Sequence, residues 1–273
     1  MKIEQLKREY SIRHWAAYKP SEVQYTKFMP FEILAALKIE DVYTQVFNAR
    51  SSLLFMEVDD YGKIVTNTDQ ALVFIRSKFL MDALACYNYA IDLSWQTLYL
   101  YYGNNSYNIL LNRDEYYKAL QGCNHEVVRY YLRLANQNKT NVCVTDFFNN
   151  PTTREVREAY NYIKHRGTFN IEGMKNGNHR FPLEINGLEL QMAHRDTIVL
   201  EDWKNKLINF DIKFHGYFNS IITSIMSADF TDGMVTVGNV IGLLERLGKE
   251  IDGFESMDIT KLGFNIDGVN SID

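Results

Sequence analysis

Apolar side chains recur every three to four residues over most of the chain, which is the spacing of one buried face of an α-helix. The clearest run extends over 69–102 and is followed by Gly103, a residue type that favours helix ends. The pattern predicts helices over 31–58, 69–102, 113–136, 151–166, 201–226 and 235–249. We therefore expect a mainly α protein, a helical bundle of about five to six helices.

The period changes to two around Asn186-Gly187. Apolar and polar residues alternate over about 180–185 and again over 188–194, and Asn-Gly between two such runs is typical of a type I′ turn. One small β-hairpin, over about 180–194, is therefore predicted. The apolar run at 198–200 is a candidate site for a third short strand.

The positions of prolines and of charged residues divide the chain into three regions. The first 30 residues contain Pro20 and Pro30, and they predict a short helix followed by a connecting segment. A single helical domain with the hairpin inserted is predicted over 31–250. Residues 229–273 hold nine acidic and three basic side chains, and 251–273 are predicted to form an acidic flexible tail.

Composition narrows the class of protein. The 273 residues carry a formal charge of −5, which excludes a globally basic protein that coats nucleic acid but leaves room for a local basic patch. Three cysteines without CxxC spacing, and a charged beginning without an apolar run, predict a cytoplasmic location. The most apolar stretch, 79–102, is interrupted by Asp82 and Asp92, so no membrane span is predicted.

One face of the predicted 151–166 helix concentrates polar side chains. At about 100° per residue, a single arc holds Arg154, Arg157, Asn161, Lys164 and His165. Fixed cations suit the oxygens of a phosphodiester, and a histidine can move a proton near neutral pH. The alternative is that this stripe is only the solvated face of a bundle helix, with His165 favouring the dipole at the helix C-terminus.

The segment Asn161-Tyr162-Ile163-Lys164-His165-Arg166, late in a helical chain, resembles the HEPN superfamily. The resemblance covers about 31–226 in layout but only these six residues in motif. It implies a bundle of four or five helices that commonly dimerises. Some members are metal-independent ribonucleases of toxin and antiviral systems, and others are non-catalytic. The family motif has an arginine, a polar residue directly after it, and a histidine after four to six intervening residues.

Asn161 and His165 match the polar residue and the histidine of that motif, but the family arginine is missing. Tyr160 occupies its position, and seven residues separate Arg157, the nearest upstream arginine, from His165. An arginine would stabilise the charged phosphorane of RNA cleavage. We therefore predict a divergent, non-catalytic binding module that contacts RNA or a protein partner.

The alternative function is a metal-independent endoribonuclease of a toxin or phage-defence system. Its catalytic residues would be His165, Asn161 and Arg157, and its phosphate or RNA contacts would be Arg154, Lys164 and Arg166. Neither function is expected to need a cofactor, a metal, a membrane or DNA. The resemblance also makes a homodimer an expectation.

Two other polar groupings lie near this stripe. The first is a polar seam on the long 69–102 helix, which consists of Asn88, Asp92 and Gln96. We expect this seam to face water. The alternative is that Asp92 orients the basic stripe. The pairs His179-Arg180 and His194-Arg195 flank the hairpin and would extend the stripe if the hairpin folds beside it. The alternative is a coincidence of surface residues.

No other motif in the sequence points to chemistry. The six histidines and three cysteines show no metal-ligand spacing. The glycine and histidine patterns typical of nucleotide-binding loops, dinucleotide-binding domains, serine hydrolases and zinc proteases are absent from the sequence.

Overall fold

The computed structural model describes residues 2–63, 66, 68–103, 106–174, 184–186, 188–189 and 195–250. Within these ranges the protein is mainly helical, which confirms the predicted fold class. The helices are α1 (Ile3–Glu9), a 3₁₀ helix (Arg13–Tyr18), α2 (Glu22–Lys27), α3 (Pro30–Phe55), α4 (Asp69–Tyr102), α5 (Asn108–Leu111), α6 (Arg113–Gln121), α7 (His125–Leu134), α8 (Asn138–Asn149), α9 (Pro151–His165), α10 (Leu200–Ile225) and α11 (Val237–Glu250). The predicted number of five to six helices is therefore too low.

The long helices α3 and α4 form the most extensive helix pair. The side chain of Thr68 caps α4 by accepting a hydrogen bond from the Ala71 amide, and the helix spans the predicted 69–102. Helix α10 packs against α4, and α8 and α9 pack against α10. Helices α4, α8 and α10 contact α9 and therefore position its polar face.

The predicted 113–136 helix is two helices, α6 and α7. Asn124 adopts an extended conformation, and its side chain accepts a hydrogen bond from the Val127 amide, so a new helix begins at His125. The apolar spacing continues through this break, which explains why the sequence pattern does not reveal it. Helices α5 and α8 are also absent from the prediction.

The first 30 residues contain three short helices instead of one. Ile3, Leu6 and Trp15 are fully buried in the same apolar core as α3, α4 and α10. This region is therefore more helical, and more deeply packed, than the predicted connecting segment.

Four short strands lie in the described part of the chain: β1 (Asn170–Ile171), β2 (Glu184–Ile185), β3 (Leu188–Glu189) and β4 (Thr197–Ile198). β2 and β3 pair antiparallel around Asn186, whose φ of 54° suits the predicted turn. The outer parts of the predicted hairpin, 180–183 and 190–194, lie outside the described residues. β4 overlaps the third predicted strand and pairs in parallel with β1.

A buried polar network crosses the core. Arg50 of α3 donates to both carboxylate oxygens of Asp211 on α10, from Nε at 2.8 Å and from Nη2 at 2.6 Å. The Tyr87 hydroxyl on α4 donates to the same carboxylate at 2.7 Å. Burial, followed by the charge of Asp211, raises the pKa of Tyr87 well above its usual value, which keeps the phenol a donor. The network joins the three longest helices.

Among the described residues, no helix is both long and apolar enough to cross a bilayer. The predicted acidic tail, 251–273, lies outside the described residues.

Candidate functional site

Helix α9 carries every residue of the predicted site except Arg166, which caps its C-terminal end. At its N-terminus, Asn150 Oδ1 accepts hydrogen bonds from the Thr152 amide and from Lys213 Nζ of α10, both at 3.0 Å. The buried side chains of Val156 and Ala159 fix which face points inward. The opposite face is therefore presented to solvent.

Arg157 is held by residues of two neighbouring helices. Its Nη1 lies 3.1 Å from Asp92 Oδ1 of α4, and its side chain is 25% exposed. The guanidinium carbon lies 4.7 Å from the ring centroid of Trp95 and 5.5 Å from that of Phe148. A cation stacked on two aromatic faces and paired with a carboxylate has one preferred position.

His125 completes this aromatic group, which we call the aromatic bracket: Trp95, His125 and Phe148. The His125 ring stacks on Phe148 with 4.2 Å between centroids, and Trp95 lies 5.4 Å away. Burial, followed by the charges of Arg129 and Arg157, lowers the pKa of His125. None of the described residues gives its buried Nε2 atom a hydrogen-bond partner.

The sequence did not indicate the aromatic bracket, because its members come from α4, α7 and α8 and no local spacing links them. The spacing of Asp92 and Trp95 is a weak indication of this site, because residues three apart share one face of α4. His125 lies in a different helix, and no sequence feature places it beside Arg157.

The polar seam on α4 divides between core and surface. Asn88 is only 2% exposed, and its Nδ2 donates to the backbone oxygens of Leu84 at 2.9 Å and Val156 at 3.3 Å. The predicted exposure of Asn88 is therefore wrong, because its amide joins α4 to α9. Asp92 is exposed and pairs with Arg157, which is the alternative prediction for this seam.

The remaining members of the stripe lie at the surface of α9. Arg154, Asn161, Lys164 and His165 are exposed, and Arg154 Nη2 donates to Asn149 Oδ1 at 2.8 Å. His165 lies eight positions after Arg157, which is about 12 Å along a helix axis. Among the described residues, no hydrogen bond or ion pair joins His165 to Arg157 or Asn161.

Tyr160, at the position of the family arginine, faces α4 instead of the exposed stripe. Its ring makes an edge contact with Tyr89, with 5.8 Å between centroids and an interplanar angle of 80°. The hydrogen bond to Tyr89, then burial and the charge of Asp92, raise the pKa of Tyr160 to about 12. A neutral phenol in this place cannot supply the positive charge of an arginine.

Helix α9 ends in a group of exposed cations. Gly167, with a φ of 121°, follows the helix, and its amide donates to the Tyr162 carbonyl at 3.2 Å. The Asp196 amide donates to the Tyr162 hydroxyl at 3.3 Å, which brings the β4 side of the chain to this end. We define the basic end of α9 as Lys164, His165, Arg166 and Arg195, all of which are exposed. His179, Arg180 and His194 lie outside the described residues.

Two of the acidic side chains around this surface are paired with cations. Lys206 of α10 forms an ion pair with Glu155, and Arg157 is paired with Asp92. Within the ranges that the structure describes, no group of three or more histidine, cysteine, aspartate or glutamate side chains is arranged to hold a metal ion. Cys86, Cys123 and Cys143 are partly buried free thiols.

No family model, no curated protein and no solved structure matches the chain.

Proposed function

We propose that this chain is a divergent, non-catalytic HEPN-like module that binds RNA through the basic end of α9. The observation that carries the proposal is the separation of Arg157 from His165. Arg157 is bound to Asp92 and to the aromatic bracket, two helical turns from the histidine. Arg157 is therefore not placed to stabilise a phosphorane formed at His165.

The surface charge favours RNA as the partner. Arg154, Lys164 and Arg166 are exposed on or next to one helix. The carboxylates of Glu155 and Asp92 are paired with other cations, and Glu158 is a further exposed acidic residue of α9. Cations in such positions bind phosphates and release counterions, which makes binding depend on salt. A folded protein partner with an acidic surface is the competing possibility, and the experiment below separates the two.

A charge-reversal experiment tests the proposal. The double variant Lys164→Glu/Arg166→Glu is compared with Arg133→Glu/Lys139→Glu, which makes the same charge change at exposed sites on α7 and α8. Binding of a fluorescent single-stranded RNA is measured by anisotropy at 50 mM salt. We expect the first variant to bind at least about tenfold more weakly than wild type and the control to stay within about twofold.

Equal losses in the two variants would show that binding depends on total charge and not on the basic end of α9. RNA binding that depends neither on salt nor on these charges would contradict the proposal and favour a protein partner. A DNA strand of the same sequence measures the expected preference for RNA.

The alternative, a metal-independent endoribonuclease, has one favourable observation. Asn161 and His165 are both exposed and lie one turn apart on α9, as in the family motif. His165 would assist attack by the 2′-hydroxyl or protonation of the leaving group. The missing cation would then come from Arg166, Lys164 or a second copy in a homodimer.

RNA decay in the presence of a metal chelator distinguishes the enzyme from the binding module. Equal decay with wild-type protein and with His165→Ala would remove the endoribonuclease hypothesis. Faster decay with wild type than with His165→Ala would contradict the non-catalytic proposal. Sedimentation measures whether the chain dimerises.

A further inference from the structure

A second group of cations surrounds a cavity that α9 does not line. The cavity has a volume of about 540 Å³ and lies between α1, the loop after it and α3. Lys7, Arg8, Arg13 and Arg50 contribute to its lining, and Glu4 is its single acidic residue. The volume is within the range of small-molecule sites, which is about 300–1,000 Å³.

Three of these cations have no charged partner in the described part of the chain. Lys7, Arg8 and Arg13 form no salt bridge with any described carboxylate, although Glu4 lines the same cavity. Like charges held around one cavity repel each other, and a bound anion relieves that repulsion. A multivalent anion suits the site because three cations can contact it together.

Arg50 provides a rigid group at the base of this cavity. Its side chain is 3% exposed and is bound by Asp211 and by the Tyr10 carbonyl, which accepts from Nη1 at 2.8 Å. These contacts use three of the five N–H groups of the guanidinium. Arg50 therefore adds a fixed positive group to the lining, while its charge is paired with Asp211.

The α3 side of the cavity is aromatic. Tyr43 and Phe47 are four residues apart on α3, and their rings stack with 6.1 Å between centroids. Phe47 is 51% exposed, so a flat apolar face is open to solvent next to the cations. Nucleobases stack on such faces whatever their sequence, whereas a simple inorganic anion gains nothing from them.

We propose that this cavity binds a nucleoside phosphate, with the phosphates on Lys7, Arg8 and Arg13 and the base stacked on Phe47. Glu4 accepts hydrogen bonds from the ribose hydroxyls. The ligand is either a free nucleotide or the 5′-phosphorylated end of an RNA strand, since both present the same chemistry. The site shares no residue with the basic end of α9, so its test is independent of the test for RNA binding by α9.

Calorimetric titrations of the full chain with ATP, pyrophosphate and adenosine test this site. The variants are Arg8→Ala/Arg13→Ala and Phe47→Ala, with Arg133→Ala/Lys139→Ala as the control for lost surface charge. All five substituted side chains are exposed, and circular dichroism verifies folding. Phe47→Tyr keeps the ring and is expected to keep the affinity.

We expect ATP to bind more tightly than pyrophosphate and adenosine, and Arg8→Ala/Arg13→Ala to weaken it about tenfold or more. Phe47→Ala should weaken ATP but leave pyrophosphate unchanged. Absence of ATP binding, or loss of affinity only in the control, would overturn the proposal. Equal affinity for ATP and pyrophosphate would also overturn it, since the aromatic face would then contribute nothing. A 5′-phosphorylated RNA and its 5′-hydroxyl counterpart distinguish the two sources of the ligand.

Discussion

Asp211 accepts three side-chain hydrogen bonds, two from Arg50 and one from Tyr87, at a fully buried position. Removing one partner of such a pair leaves a buried charge without compensation, which costs far more than the pair contributes. At the residue scale this network is the most sensitive point of the core, because it joins α3, α4 and α10.

Asp211→Asn is expected to lower the free energy of unfolding by about 3–5 kcal/mol, because it leaves the Arg50 guanidinium buried without a counter-charge. The same substitution at Asp92, whose side chain is 52% exposed, is the control and should cost at most about 1 kcal/mol. Urea unfolding followed by circular dichroism measures both. Similar losses in the two variants would contradict the structural role of the network.

His125 makes stability depend on pH. Its folded-state pKa is lowered by burial and by Arg129 and Arg157, so the unfolded chain binds the proton more tightly. The stability from a neutral His125 is therefore present at pH 7 and decreases as the pH falls below the unfolded pKa of about 6.5. Melting temperatures between pH 5 and 8 should fall more steeply toward acid in wild type than in His125→Phe.

Part of that slope will remain in His125→Phe, because burial also lowers the pKa of His215. The exposed His165, changed to glutamine, is the control for removal of a histidine from the surface. Identical acid slopes for wild type and His125→Phe would show that the aromatic bracket does not keep this imidazole neutral.

At the element scale, α9 is held at one end by its cap and along its length by Asn88 and Arg157. The Asn150 side chain accepts hydrogen bonds from both the Thr152 amide and Lys213 of α10. The orientation of the exposed stripe therefore depends on a single capping residue and on contacts with two neighbouring helices.

Asn150→Ala is expected to lower the free energy of unfolding by about 1 kcal/mol, because the Thr152 amide loses its acceptor and the Lys213 ammonium keeps only the Thr152 hydroxyl. Asn150→Asp keeps an acceptor and places a negative charge at the helix N-terminus, so it should be close to neutral. Chemical denaturation of the two variants measures the difference. A loss in Asn150→Asp as large as in Asn150→Ala would contradict the capping role.

The sequence predicts elements well where local rules decide them. The bounds of α4 follow from a regular apolar period with a following glycine. The β2–β3 turn follows from the Asn-Gly pair in the sequence, and Asn186 has the positive φ that this pair favours. The break between α6 and α7 depends on the cap at Asn124, a feature that the apolar period does not contain.

The candidate site is less predictable because packing decides it. A helical wheel places Arg157 on the stripe with His165, and this shared face alone suggests a shared role. The contacts with Asp92 and Phe148 come from other helices, and they turn the guanidinium toward the aromatic bracket. No spacing within α9 contains that information.

At the scale of the whole molecule, the formal charge is −5, yet the described part of the chain carries two separate cationic regions. One is the basic end of α9, and the other is the cavity beside Lys7, Arg8 and Arg13. Total charge therefore describes this protein poorly, because phosphate binding depends on the local arrangement of cations.

The salt dependence of RNA binding tests the central proposal most directly. Each phosphate contact to a single strand contributes about −0.7 to the slope of log affinity against log salt. Replacing Lys164 and Arg166 by glutamine should therefore reduce the magnitude of that slope by about 1.4, measured by anisotropy between about 50 and 200 mM salt. An unchanged slope, or wild-type affinity that ignores salt, would contradict RNA binding by the basic end of α9.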